Sequence, residues 1–361
     1  MKTTKYPLNY KKIGYIALAW LLISSFQVCY DYLVVINFNA DPSIYRFWPI
    51  LIANGTIAII AGSLAGVLLL KIESYIRNVP FWKAILGVSL FYALSGFILI
   101  GAGSLLFQMI TQQQSPFAPE VQHEVQHFMV GADFLKHFLS WGVIMIGTII
   151  TLAVNDKYGQ GNFKNFLLGR YFRPREEERI FMFLDLKGST TIAEKLGAKN
   201  YFYFLKDFIA DASAPILRTK GEIYQYVGDE IIVSWEMNNG LNNANCLECF
   251  YAIQEAILEK DKEYLEKYGC LPTFKAGLHY GQVMVGEMGM VKKEITFSGD
   301  VLNTASRIQM ECNKHQVDLL LSSALVSILP LPTAMKPQAL GDIELRGKQE
   351  KVGLSTISLN Y

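Results

Sequence analysis

Ile180-Phe-Met-Phe-Leu-Asp185-Leu-Lys187-Gly188-Ser189-Thr190, running into Thr191-Ile-Ala-Glu194, decides the fold of the second half of this 361-residue chain. An apolar run closed by a carboxylate reads as a buried strand. Lys187 to Thr190 turn the chain, and Thr191 with Glu194 has the capping-box spacing that opens a helix. Strand, turn and helix in that order set Asp185 beside the backbone N–H groups of Gly188 and Ser189 at a helix N-terminus. Such a corner suits a phosphate together with a divalent cation. It is not the Gly-Lys-Ser/Thr phosphate loop, because the earlier glycine is missing.

Three further pieces lie downstream. Gly221-Glu-Ile-Tyr-Gln225-Tyr-Val-Gly228-Asp229-Glu-Ile-Ile-Val-Ser-Trp235 places two β-rich arms around Gly228-Asp229, which reads as a tight hairpin with Asp229 at its tip. Asp229 is either a turn former or, with Asp185, one of two carboxylates sharing a pair of magnesium ions. The next piece is Phe274-Lys-Ala-Gly277-Leu-His279-Tyr-Gly281 and the strand-like Gln282-Val-Met-Val-Gly-Glu287. The last is Ile295-Thr296-Phe-Ser-Gly299-Asp300 with the helix Val301-Leu-Asn303-Thr-Ala-Ser-Arg307-Ile. Asn303 and Arg307 are i and i+4, so both project from one helix face. An amide beside a guanidinium can hold a sugar and a phosphate, or the pair can simply face water.

Upstream the composition changes. Hydrophobic residues make up 51% of the chain, charged residues only 18%, and the mean hydropathy is +0.23. A soluble domain carries about a quarter charged residues, so part of this chain belongs in lipid. The apolar excess falls in runs at 13–36, 48–70, 84–110 and 138–155, and roughly 20 apolar residues cross a bilayer as a helix. Four spans follow. The first run is too long for a cleaved signal peptide, and no A-x-A site follows it. Lys2, Lys5, Lys11 and Lys12 precede the first span, Lys71, Arg77 and Lys83 separate the second and third, and Lys157 to Arg179 follow the fourth. The opposite loops carry only Arg46 and Lys136, so the positive-inside rule puts both termini in the cytoplasm, at the inner (plasma) membrane.

These patterns divide the chain into a four-span α-helical transmembrane domain (1–155), a cytoplasmic amphipathic linker (156–178) and an α+β domain (179–361). Interleaved aromatic and basic residues over 162–173 suit an interfacial helix that Pro174 ends. Gly62-Ser-Leu-Ala-Gly66 is either a face for close helix approach or the ordinary glycine of membrane helices. Asp31 is either a coupling residue within span one or a carboxylate near the wet end of its helix. A net charge of +1 offers no electrostatic case for nucleic acid, and 13% aromatic content excludes a disordered chain. Five scattered cysteines do not build a disulfide framework.

Phe183-Leu-Asp185-Leu-Lys-Gly-Ser-Thr190, Val227-Gly-Asp229, Ala276-Gly-Leu-His279-Tyr-Gly281 and Ser298-Gly-Asp-Val-Leu-Asn303-Thr-Ala-Ser-Arg307 occur in one order. Together they resemble the class III nucleotidyl cyclases, the adenylyl and guanylyl cyclases, over roughly residues 179–358. The resemblance implies a ferredoxin-like α+β domain that works as a homodimer with active sites shared across the interface. Asp185 and Asp229 of one chain would hold two Mg2+ or Mn2+ ions. Asn303 of the other chain would orient the ribose, and its Arg307 would stabilise charge on the α-phosphate. Lys348 falls where the family meets the terminal phosphates, with Arg346 as a close competitor. The base-reading positions carry Gln225 and Thr296. Thr296 favours adenine and hence ATP as substrate; Gln225, offering donor and acceptor, departs from the usual lysine and leaves GTP open. A nucleotide-binding receptor without turnover is the alternative in another class.

Two competing signals lie elsewhere. His123-Glu-Val-Gln-His127 fits the zinc-protease helix pattern, with His137 further on, but its short loop cannot build a protease cleft or a convincing third ligand; an ordinary amphipathic lead-in helix is expected there, with metal or proton sensing outside the membrane as the alternative. Cys246 and Cys249 are a Cys-x-x-Cys pair without a second pair at zinc spacing, so packing is expected of them.

Overall fold

The computed structural model describes residues 10–37, 46–76, 81–158, 168–291, 293–333, 335–346 and 351–359. The chain separates into two compact units, Met1–Val154 and Asn155–Tyr361.

The first unit is helical: α1 Tyr10–Asn37, α2 Phe47–Ile76, α3 Phe81–Gln112, α4 Pro119–Val130 and α5 Ala132–Tyr158. Four of these contain stretches long and apolar enough to cross a membrane, Lys12–Asn37, Phe47–Leu68, Ser89–Gln112 and Ala132–Thr151. The last begins six residues before the uncharged run at 138, so Asp133 and Lys136 lie on the helix itself. Gly62 decides between the two readings of its small-residue stripe. A Cβ there would lie 2.9 Å from Ala17 Cα, and one at Gly66 would lie 3.3 Å from Ile13 Cα, so α1 and α2 approach closely because those side chains are missing.

A polar ladder joins α1 to α5. Asp31 pairs with Lys136 at 2.7 Å, Gln27 donates to Ser140 at 3.0 Å, and the Trp20 indole donates to Thr148 at 3.0 Å. The positions fall on α1 as they rise on α5, which is the register of antiparallel helices. Asp31 therefore has an internal counter-ion. Trp20 and Trp141, with ring centroids 5.4 Å apart, wall a cavity of about 270 Å³.

The second unit runs β1 Arg175–Leu186, α6 Ser189–Arg218, β2 Glu222–Val227, β3 Glu230–Glu236, α7 Met237–Leu241, α8 Asn245–Leu258, α9 Asp261–Tyr268, β4 Phe274–Met288, β5 Glu294–Ser298, α10 Asp300–His315, β6 Leu319–Ser322, α11 Ser323–Ile328, β7 Met335–Ile343 and β8 Val352–Leu359. The strands lie in the order β2-β3-β1-β4-β6-β8-β7, with β5 pairing β4 off that path. The first four, β1-α6-β2-β3-α8-β4 in sequence and 4-1-3-2 in space, form the ferredoxin-like split βαβ unit. Side chains alternate across β1. Ile180, Met182 and Leu184 face the core beneath α6 and α8, while Phe181 and Phe183 join Val283, Val285, Val301 and Ala305 under α10. Asp185 shares the face of Phe181 and Phe183.

Three local expectations change. No side chain caps α6, which starts at Ser189, directly after Gly188 at φ +64°; the chain is already helical where the capping box would open it. β1 begins at Arg175, so residues 175–178 belong to the sheet rather than the linker. Of the amphipathic stretch, residues 162–167 lie outside the described residues, and Leu168 to Arg173 form turns. Residues 175–178 pair with Val285 to Gln282 of β4, and next to them Arg179 is buried at 1% exposure among Glu177, Glu222, Ser234 and the Tyr171 hydroxyl.

Candidate active site

Strand register builds the centre of the site. Asp185 on β1 lies opposite Glu230 on β3 and opposite Lys275 on β4, so the three side chains form a row across one face of the sheet. Asp229 precedes Glu230 in the two-residue turn between β2 and β3. Gly228 makes that turn at φ +64°, a conformation a residue with a Cβ resists.

Asp185 receives two donors on the same atom. Gln309 Nε2 on α10 reaches its Oδ2 at 3.0 Å, and Lys275 Nζ lies 3.4 Å from Oδ2. Burial and then the nearby Asp229 charge push the Asp185 carboxyl above its usual range, while Lys275 and Gln309 hold it back. Glu230 is pushed up to about 7, by burial first and then by Asp185 and Asp229, with Lys275 opposing. Burial, followed by Asp229 and Asp185, also raises the Tyr201 hydroxyl, whereas its hydrogen bond with Ser189 acts the other way. Three carboxylates thus face one ammonium, an excess that a divalent cation fits.

The donor set fits one kind of ion in particular. Among the described residues, no three His, Cys, Asp or Glu side chains form a ready-made metal cage. Two aspartates leave most of a coordination sphere to water and phosphate oxygens, which is how Mg2+ is commonly held. Next to Asp185 the first turn of α6 has no side-chain cap, so the Ser189 end of the helix offers backbone N–H groups to an anion. A cleft of about 390 Å³ lined by Lys187, Gly188, Lys275, Cys312, Asn313 and Asp318 opens alongside.

The remaining residues are elsewhere on the domain. Asn303 is exposed and Arg307 half-buried on α10, and among the described residues neither bonds to Asp185 or Asp229 of the same chain. The reason is the helix face: Val301, Thr304, Ala305, Ile308, Gln309 and Cys312 are buried, which turns Asn303 outward. Gln225 is exposed on β2 opposite Ile232, after a bulge, and Thr296 is half-buried on β5 opposite Gly286. Tyr224 and Phe297, their strand neighbours, meet with ring centroids 4.9 Å apart. Arg346 is exposed, and Lys348 lies outside the described residues.

Glu230, Lys275 and Gln309 escaped the sequence reading. Glu230 adjoins Asp229, and Gln309 follows Arg307 by two positions, but only strand register and helix burial bring them to Asp185. The other candidates resolve plainly. His123 and His127 are both exposed on α4, with no third ligand among the described residues. Cys246 and Cys249 are buried in the core, with thiols pushed up to about 12 by burial, which suits packing. His279 bonds to Ser322 at 2.8 Å.

The family model for the adenylate and guanylate cyclase catalytic domain matches residues 173–357, just over half of the chain. "Adenylate cyclase 2" of Rhizobium meliloti (strain 1021) is 33% identical over 210 residues, which are 58% of this chain and 58% of that protein. "Adenylate cyclase" of Anabaena cylindrica is 26% identical over 180 residues, 48% of this chain and 35% of that one. The matches thus span less than two thirds of these relatives' own length. A solved bacterial light-regulated adenylyl cyclase shares the fold at 17% identity and a TM-score of 0.53, over 64% of this chain and 68% of its own. With that model covering the two aspartate corners and helix α10, the chain belongs to the adenylate and guanylate cyclase family.

Proposed function

We propose that this chain is an integral membrane adenylyl cyclase, converting ATP to 3′,5′-cyclic AMP and pyrophosphate at sites shared between two copies. The observation that carries the reading is the meeting of Asp185 and Asp229 beside the uncapped end of α6, with more negative charge than Lys275 offsets. Two Mg2+ or Mn2+ ions bound there would supply Lewis acidity toward the ribose 3′-hydroxyl and neutralise phosphate charge.

The chain's own residues do the rest. Asp185 and Asp229 hold the ions, and the N–H groups at Gly188 and Ser189 receive phosphate oxygens. Asn303 and Arg307 lack partners among their own chain's site residues and serve the site of a second copy. There Asn303 orients the ribose, and Arg307 stabilises charge growing on the α-phosphate. Gln225 and Thr296 read the base, and Lys348 or its neighbour Arg346 meets the terminal phosphates. The names of the bacterial relatives support adenine over guanine. Residues 1–155 span the plasma membrane, 156–174 connect and the domain from Arg175 onward catalyses on the cytoplasmic side, as the lysine and arginine distribution supports.

The test uses the whole protein in detergent, assayed for cyclic product from ATP and GTP with Mg2+ or Mn2+. Cyclic AMP is expected. Product from GTP alone overturns the base assignment, and no product from a verified dimer overturns the enzyme. Mixing Asp185→Ala with Arg307→Ala chains should restore one working site.

A further inference from the structure

Helix α10 carries two kinds of side chain with two destinations. Asn303 points outward, whereas Gln309, at 3% exposure, points into its own chain and donates to Asp185. Its position is set by the closest backbone approach recorded at any glycine in this domain. A Cβ on Gly277 of β4 would lie 2.3 Å from Gln309 N and 2.6 Å from Ala305 O, so the helix rests on bare sheet backbone at that point. The Gln309 backbone is thereby seated against β4.

The atoms it engages matter. Gln309 and Lys275 both take Oδ2 of Asp185, so neither of these donors occupies Oδ1. A buried amide is a suitable orienting group here, because it fixes the carboxylate without adding charge that would compete with a cation.

We propose that Gln309 is a positioning residue for the metal-binding carboxylate of its own chain. It thereby ties each chain's metal site to the helix that serves the neighbouring site. The inference rests on the composite-site reading above. In a dimer, α10 then contacts one site through Gln309 and the other through Asn303 and Arg307. Displacement of this helix on filling one site reaches the carboxylate of the other.

Placement of one substitution tests it. Two differently tagged full-length chains are co-purified, one carrying Asp185→Ala and the other Arg307→Ala, so that a single site survives. That site uses the carboxylates of the Arg307→Ala chain and α10 of the Asp185→Ala chain. Gln309→Met, which keeps the length of the side chain and removes the donor, is added to either chain in turn. In the Arg307→Ala chain it is expected to raise the Mn2+ concentration for half-maximal rate, and weaken Mn2+ binding by electron paramagnetic resonance, about 10-fold to 100-fold. The nucleotide KM should change far less. In the Asp185→Ala chain no such shift is expected.

Equal shifts from both placements, a shift from the second alone, or none from either would overturn the proposal. A parental pair without activity defeats the shared-site reading instead. In that case Mn2+ binding by Gln309→Met and wild-type homodimers, measured with a non-cyclisable ATP analogue, still decides the role of Gln309. Gln309→Asn asks the same question if the methionine variant does not assemble.

Discussion

Asp185 and Glu230 are register partners on adjacent strands, so two carboxylates sit side by side on one sheet face, with Asp229 in the turn beside them. Like charges directly opposite are unfavourable in a sheet. Burial first, and then the charges of Asp185 and Asp229, raise the carboxyl of Glu230, with Lys275 opposing.

That relationship fixes a pH dependence. Unfolded, Glu230 ionises near the ordinary glutamate value of 4.5; folded and metal-free, it keeps its proton to about 7. Between those values the folded protein binds the extra proton, so stability falls as pH rises through the window and levels off above it. Melting temperatures of metal-free protein should decline from about pH 5 to pH 7 and recover with added Mg2+. Glu230→Gln should flatten the decline. An unchanged slope in that variant would assign the effect to another group.

Arg307→Ala is expected to lower kcat by about 10²–10³-fold with little change in dimer content, because it removes a charge needed mainly as the reaction proceeds. Steady-state rates alongside size-exclusion profiles check this. Asp229→Ala should abolish turnover with the dimer likewise intact.

Gly277→Ala should destabilise the domain by about 1–3 kcal/mol, since the new methyl meets the Gln309 and Ala305 backbone rather than a side chain able to swing aside. Thermal melts of the purified protein read this. The variant should also require more divalent cation, through displaced Gln309.

Arg179→Met should cost about 3–5 kcal/mol, as it leaves the carboxylates of Glu177 and Glu222 without their buried partner. Denaturant unfolding followed by tryptophan fluorescence is suitable, because Trp235 lies in the same domain core. The Glu222→Gln variant alone should lose less, being partly exposed.

In the membrane unit, a double-mutant cycle of Asp31→Asn with Lys136→Met should give a coupling of only about 0.6 kcal/mol. Lys136 is about half-exposed at 47%, so much of the attraction is already open to its surroundings. A coupling several times larger would mean the pair is closed off in the folded protein.

Much of this was legible beforehand. The four apolar runs, the strand ending at Asp185 and the hairpin at Gly228-Asp229 are local patterns, and all of them form. The capping box at Thr191 did not, because Gly188 had already turned the chain into helix. The connector ends before Arg175 because residues 175–178 pair with 282–285 of β4, a contact about a hundred positions away that no local pattern reveals. The two roles left open for Asp31 and for the Gly62 stripe depend on neighbours more than a hundred and about fifty residues away, respectively.

Composition and local periodicity determined by themselves that this chain pairs a helical bundle suited to lipid with an α+β domain whose aspartates stand at turn positions. Hydrophobic pattern repeats within a few residues, so it needs no knowledge of distant segments. Only the tertiary structure decided that Glu230, Lys275 and Gln309 surround Asp185, the last from 124 positions away. Strand order and helix docking join residues that no local period relates, and there the charge balance of the site is set.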